Sequence, residues 1–119
     1  MMKAELRYLH SPDLDDLEKG PSDPESYGIL IQAMIGPSGP EGGEESFDFI
    51  LCTPPWLAEQ LRGHGSIWGR RHLIVARYDH EVLRGAVLDL CSRAEGDDWA
   101  SLAEQLGRFA TWEFEDYVE

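Results

Sequence analysis

Asp79-His80-Glu81 is the one place in this 119-residue chain where an imidazole stands between two carboxylates, the side chains that general acid and base catalysis employs. The triplet follows an apolar run and opens a helical pattern, a strand-to-helix turn where Asp also has an ordinary use as a helix cap. The other histidines, His10, His64 and His72, form no HExxH or HxH pattern and have no cysteine at ligand spacing, so no metal ligands are predicted. Cys52 and Cys91 stand far apart and outside any CxxC. Both read as reduced, buried small hydrophobes, and no GxSxG elbow supplies another nucleophile. Asp13-Leu14-Asp15-Asp16-Leu17-Glu18 has calcium-like oxygen spacing, but an EF-hand loop needs Gly at its sixth position and Glu at its twelfth, where this chain has Glu18 and Pro24. The Gly-rich stretch 36–43 lacks a following Lys-Ser or Lys-Thr and adjoins Glu41, Glu44 and Glu45, which repel phosphate. No cofactor, metal or catalytic residue is predicted. A hydrolase-like or adaptor domain with a site near Asp79-His80 stands as the alternative to a binding role.

Any such site must be held by the elements that hydropathy patterning marks out. Ala4, Leu6 and Tyr8 alternate with Lys3, Glu5 and Arg7, a first strand with one wet face. Tyr27, Ile29, Ile31, Ala33 and Ile35 form the apolar face of a second, central strand, whose other face is partly apolar through Leu30 and Met34. After the turn-rich stretch 36–43, Phe47, Phe49 and Leu51 continue at period two and close a long-looped hairpin. Thr53 reads as an N-cap with Pro54 in the first helical position, ahead of a short helix that Trp56, Leu57 and Leu61 line and Gly63-His64-Gly65 ends. His72 to Tyr78 reads as a buried strand. Asp79 or His80 opens a second helix with the stripe Val82, Leu83, Ala86, Val87, Leu90 and Cys91, stopped by Gly96. Asp97 or Asp98 caps a third, with Trp99, Leu102, Ala103, Leu106 and Phe109 inward. Trp112 onward forms a short edge strand or an ordered arm. The expected fold is α+β: a mostly antiparallel sheet of about four strands with three helices packed on one face, in a single domain spanning residues 1–119.

Composition narrows the function. Hydrophobic residues make up 42% of the chain and aromatics number 12, enough apolar surface to offset chain entropy. Ten Lys and Arg against 23 Asp and Glu leave a formal charge of −13, which repels phosphate backbones and anionic lipid surfaces, so neither nucleic acid nor a membrane is an expected partner. The first residues offer no apolar stretch of the roughly 7–15 residues a secretory signal needs, and the expected location is cytoplasmic. Residues 1–59 hold three basic and 12 acidic groups, and residues 60–119 seven and 11, which concentrates the negative field in the first half and in the tail. Trp112, Phe114 and Tyr117 interleave with Glu113, Glu115 and Asp116, the anchor-and-charge composition of a binding patch. The partner-binding surface expected from this placement comprises Glu41, Glu44, Glu45 and Asp48 of the hairpin with Trp112, Glu113, Glu115, Asp116 and Tyr117 of the tail.

Several stretches follow one another nearly end to end. They are Ala4-Glu5-Leu6 through His10-Ser11-Pro12-Asp13, Ile35-Gly36-Pro37, Glu44-Glu45-Ser46-Phe47-Asp48, Cys52-Thr53-Pro54 with Trp56-Leu57, Arg71-His72-Leu73-Ile74-Val75, and Trp112-Glu113-Phe114-Glu115-Asp116-Tyr117. In this order and spacing the chain resembles the immunity protein 8 family of bacterial polymorphic toxin systems. The resemblance implies a non-enzymatic cytosolic inhibitor, encoded beside a secreted or contact-delivered toxin and protecting its producer and kin. A formal charge of −13 suits a cognate toxin domain that is basic, as a nuclease must be to hold a polyanion.

Overall fold

Period-two hydropathy organises the first half of the molecule into a meander. The computed structural model describes residues 1–39 and 42–114. In it β1 (Ala4–His10), β2 (Gly28–Pro37) and β3 (Glu45–Cys52) pair antiparallel in sequence order. Helix α1 (Pro54–His64) then crosses to β4 (His72–Ile74), which lies parallel to the C-terminal end of β3. Helices α2 (His80–Arg93) and α3 (Trp99–Leu106) follow, and β5 (Thr111–Trp112) returns to pair antiparallel with Phe47 and Asp48 of β3. The fold is α+β with a mixed, mostly antiparallel sheet and three helices, as the patterning predicts.

The core lies where the two periodicities meet. Ile29, Ile31, Ala33 and Ile35 of β2 and Phe47, Phe49 and Leu51 of β3 share one sheet face and are buried against Leu83, Val87 and Cys91 of α2 and Leu102, Ala103 and Leu106 of α3. Each large side chain there contributes about 1.5–3 kcal/mol of apolar burial. Asp79 caps α2 by accepting from the Glu81 and Val82 amides, and Asp98 caps α3 by accepting from Ser101 N at 2.8 Å. Helix α1 buries none of its side chains, and Trp56 lies so close over Gly28 that no Cβ fits there.

The structure departs from the patterning at several points, each with a local cause. Tyr8 faces solvent and Leu9 takes its inward place, because Arg7 is an extra residue bulged out between the Leu6–Ile35 and Tyr8–Met34 pairs. The strand expected over 72–78 stops at Ile74, which is half exposed; Tyr78 is buried instead against Tyr27 and Gly20, its amide donating to Pro24 O at 2.7 Å. Thr53 occupies the N-cap position of α1 without capping, since its hydroxyl oxygen accepts from Tyr27 N across the sheet end. Helix α2 ends at Arg93 with Ala94 as its C-cap, and Gly96 bridges to Met2 instead of stopping it. Val82 and Phe109, expected inward, are both more than half exposed.

Candidate functional site

The two acidic segments marked out in the sequence, some 65 residues apart, are joined on neighbouring strands. Register places Phe47 opposite Trp112 and Asp48 opposite Thr111. Just beyond, Ser46 and Glu113 clamp each other: Glu113 N donates to Ser46 O at 3.0 Å, and Ser46 N donates to the Glu113 carboxylate at 2.7 Å. Ser46 also donates its hydroxyl to Asp48. Glu44, exposed, stands at the entry to β3, so Glu44, Asp48 and Glu113 form one carboxylate-bearing surface across the β3–β5 pair.

Glu45 has a different use. Its side chain is half buried, and one carboxylate oxygen accepts from both Trp99 Nε1 at 2.5 Å and Trp112 Nε1 at 2.9 Å. That single acceptor ties the start of α3 to β5. Around it Phe47 stacks on Trp112 (centroids 6.5 Å apart, planes 9° apart) and takes Trp99 edge-on at 6.2 Å, while Phe114 packs edge-on against Trp112 at 5.8 Å. Trp112 is therefore half buried in an aromatic stack, and Phe114, 39% exposed, carries the apolar surface that reaches solvent here. A groove of about 250 Å³ opens beside this stack, lined by Gly36, Pro37, Gly43, Glu44, Glu45 and Trp99. Gly36 admits the hairpin crossing: a Cβ there would meet Gly43 O at 1.7 Å. Arg7, bulged from β1, holds the far side of the loop by donating to Pro37 O at 2.6 Å and, with longer contacts, to Gly39 O and Gly42 O.

Glu41, Glu115, Asp116 and Tyr117 lie outside the described residues. Patterning missed the Trp99–Glu45–Trp112 bridge, because no local signal relates residues 54 and 67 positions apart. It placed Phe114 in the aromatic and acidic alternation but did not single it out; its place after Trp112 was the available signal.

The alternative site is built differently. Asp79 spends one carboxylate oxygen on the α2 amides, and His80 has Glu81 as its acidic neighbour at 3.9 Å. Cys52 and Cys91 are both buried free thiols; burial pushes Cys91 up to about 11 and raises Cys52 as well, the direction opposite to that of an activated nucleophile. Among the described residues, no group of three His, Cys, Asp or Glu is placed to hold a metal ion, and no helix is long and apolar enough to cross a membrane. On the β3–β5 pair Glu44 and Glu113 are exposed and Asp48 is half-buried, and Phe114 keeps 39% of its surface in solvent.

A family model described as Immunity protein 8 fits residues 4–117, nearly the whole chain. Neither a curated protein nor a solved structure matches it.

Proposed function

Since this chain belongs to the immunity protein 8 family, we propose that it neutralises a cognate bacterial toxin by binding it directly, without catalysis, in the cytoplasm of the producing cell. The toxin is the polymorphic or contact-delivered kind, with a basic face such as a nuclease presents to its polyanionic substrate. The contact surface is the acidic one across β3 and β5, with Glu44, Asp48 and Glu113 in the described part and Glu41, Glu115, Asp116 and Tyr117 beside it in sequence. Glu45 and Trp112 belong to the same surface as its internal brace.

The observation that carries this reading is the convergence of two distant acidic segments on one strand pair, in a chain of formal charge −13. Opposite charge steers encounter and can raise association to about 10⁸–10⁹ M⁻¹s⁻¹ at low salt, a rate that suits an inhibitor of a lethal ligand. Residence then depends on desolvated aromatic area more than on rim charge.

The test is kinetic. Glu44→Lys is expected to slow association with the toxin domain encoded beside this chain several-fold at low salt and to flatten its salt dependence, with little change in dissociation. Association rates equal to wild type at every ionic strength reject this surface.

A further inference from the structure

Trp68 is 93% exposed, the most exposed large apolar side chain among the described residues. A lone surface hydrophobe is common and carries nothing by itself. Three further observations distinguish this one.

The segment that presents it is held at its C-terminal end. Arg71 sits at a φ of 66°, a left-handed conformation that few non-glycine residues adopt and that its surroundings hold here. Those surroundings are visible: Arg71 O accepts from Ile50 N at 2.9 Å, Arg71 Nη1 donates to Thr111 Oγ1 at 2.5 Å, and Arg70 Nη2 donates to Gly107 O at 3.2 Å. At the other end Gly65, φ 78°, ends α1.

Charge is inverted here. Residues 60–78 contain Arg62, Arg70, Arg71 and Arg77 and no Asp or Glu, so the formal −13 is the sum of +4 in this segment and −17 elsewhere. Tryptophan with arginine is the composition most enriched among residues that dominate protein–protein affinity.

The segment also continues the acidic surface. Thr111, which receives Arg71, pairs with Asp48, and Arg70 also lines a groove of about 480 Å³ with Glu104 and Arg108 of the α3 end and Trp112 of β5.

We infer that Trp68 is the anchor of a second, oppositely charged half of the toxin-binding surface. It inserts into an apolar socket with an acidic rim, next to the basic area that meets Glu44 and Glu113. The inference rests on the toxin-binding reading above and adds to it what the partner must look like: a face of two signs. A uniformly cationic partner would be repelled by the arginines. A two-signed one is oriented by both halves at once, which sets the docking angle.

The experiment measures binding kinetics of the full chain with the purified toxin domain encoded beside it, for wild type, Trp68→Phe, Trp68→Ala and Glu44→Lys. Trp68→Ala is expected to raise Kd about 30-fold or more, chiefly through faster dissociation that changes little with salt, and Trp68→Phe is expected to fall between it and wild type. Trp68→Ala with wild-type Kd and dissociation rate, alongside slowed association in Glu44→Lys, overturns the anchor and leaves the acidic surface standing. A strong Trp68 effect with no Glu44 effect supports the anchor and removes the acidic surface. Failure of the wild-type chain to bind the toxin overturns both. Trp68-dependent binding of an oligothymidylate, with toxin affinity unchanged, assigns the loop to base stacking and overturns the inference as well.

Discussion

Trp112 and Trp68 lie on segments that the Arg71–Thr111 hydrogen bond joins, yet they are used in opposite ways. Trp112 has its indole N–H on Glu45, one face along Phe47 and the ring of Phe114 edge-on to it. Trp68 is 93% exposed, with no ring or hydrogen-bond partner among the described residues. The lesson concerns context. Acidic neighbours mark Trp112 as a candidate contact residue, and in the fold one of those acids, Glu45, accepts from its indole and fixes the ring. An indole that is satisfied has little left to offer a partner, and one left in water between Ile67 and Gly69 has nearly all its area in reserve.

The comparison breaks most easily at the ring beneath Trp112. Phe47 is 1% exposed and touches both tryptophans, so Phe47→Ala is expected to lower the unfolding free energy by about 3–5 kcal/mol in urea titration. A loss below about 1 kcal/mol would mean that the stack collapses without cost and that Trp112 is free to turn outward. Glu45 gives the next largest effect. Glu45→Ala leaves two partly buried indole N–H groups without an acceptor and is expected to cost about 1–3 kcal/mol. Glu45→Gln keeps an acceptor oxygen and should recover most of that stability, which separates the brace from the charge: if Gln is as damaging as Ala, the charge and not the bridge holds α3 to β5.

How much of this was legible follows from how local each signal is. The β2 face from Tyr27 to Ile35 and the β3 face from Phe47 to Leu51 could be read because a strand's period is carried by the strand itself. The two helix starts could be read to within one residue, as Asp79 or His80 and Asp97 or Asp98, and the caps are Asp79 and Asp98. The bulge at Arg7, which exchanges Tyr8 for Leu9, could not, because it is set by the pairing with β2 and by the Arg7 guanidinium reaching Pro37 O. Thr53 looked like a cap and serves Tyr27 instead, since the sheet end brings a competing donor within 3.2 Å. At the candidate site the acidic segments were visible one by one; their union on β3 and β5 depends on a chain return that no window of sequence contains. Trp68 went unmarked because its significance lies in exposure, a property of the folded surface.

Titration sharpens the contrast between interior and rim. Burial raises Tyr27 to about 12 and Cys91 to about 11, and raises Tyr78 and Cys52 in the same direction. All four are groups that the folded chain holds protonated while the unfolded chain, with ordinary thiols near 9 and phenols near 10, releases them. Stability is therefore expected to be free of these contributions below pH 9 and to fall as pH rises from 9 towards 12, each held proton steepening the loss by about 1.4 kcal/mol per pH unit. Cys91→Ala should make that fall shallower in denaturation curves, since Cys52 still releases its proton in the unfolded chain from the same ordinary value. A fall of unchanged steepness would mean that Cys52 and the phenols carry it.

The smallest expected effect is the most discriminating. Trp68→Ala should change the unfolding free energy by no more than about 0.5 kcal/mol, because the folded chain gives its ring nothing to lose. Arg71 keeps its hydrogen bonds to Thr111 and Ile50 in that variant, so the loop retains its hold on β3 and β5 while losing only the projecting indole. If stability instead drops by more than about 1 kcal/mol, the ring packs against the molecule in solution, and the distinction between the two tryptophans disappears. If stability is unchanged and toxin dissociation is accelerated, the two measurements together place the ring's energetic role in the complex, since a side chain that contributes nothing to folding and much to residence must find its contacts on another surface.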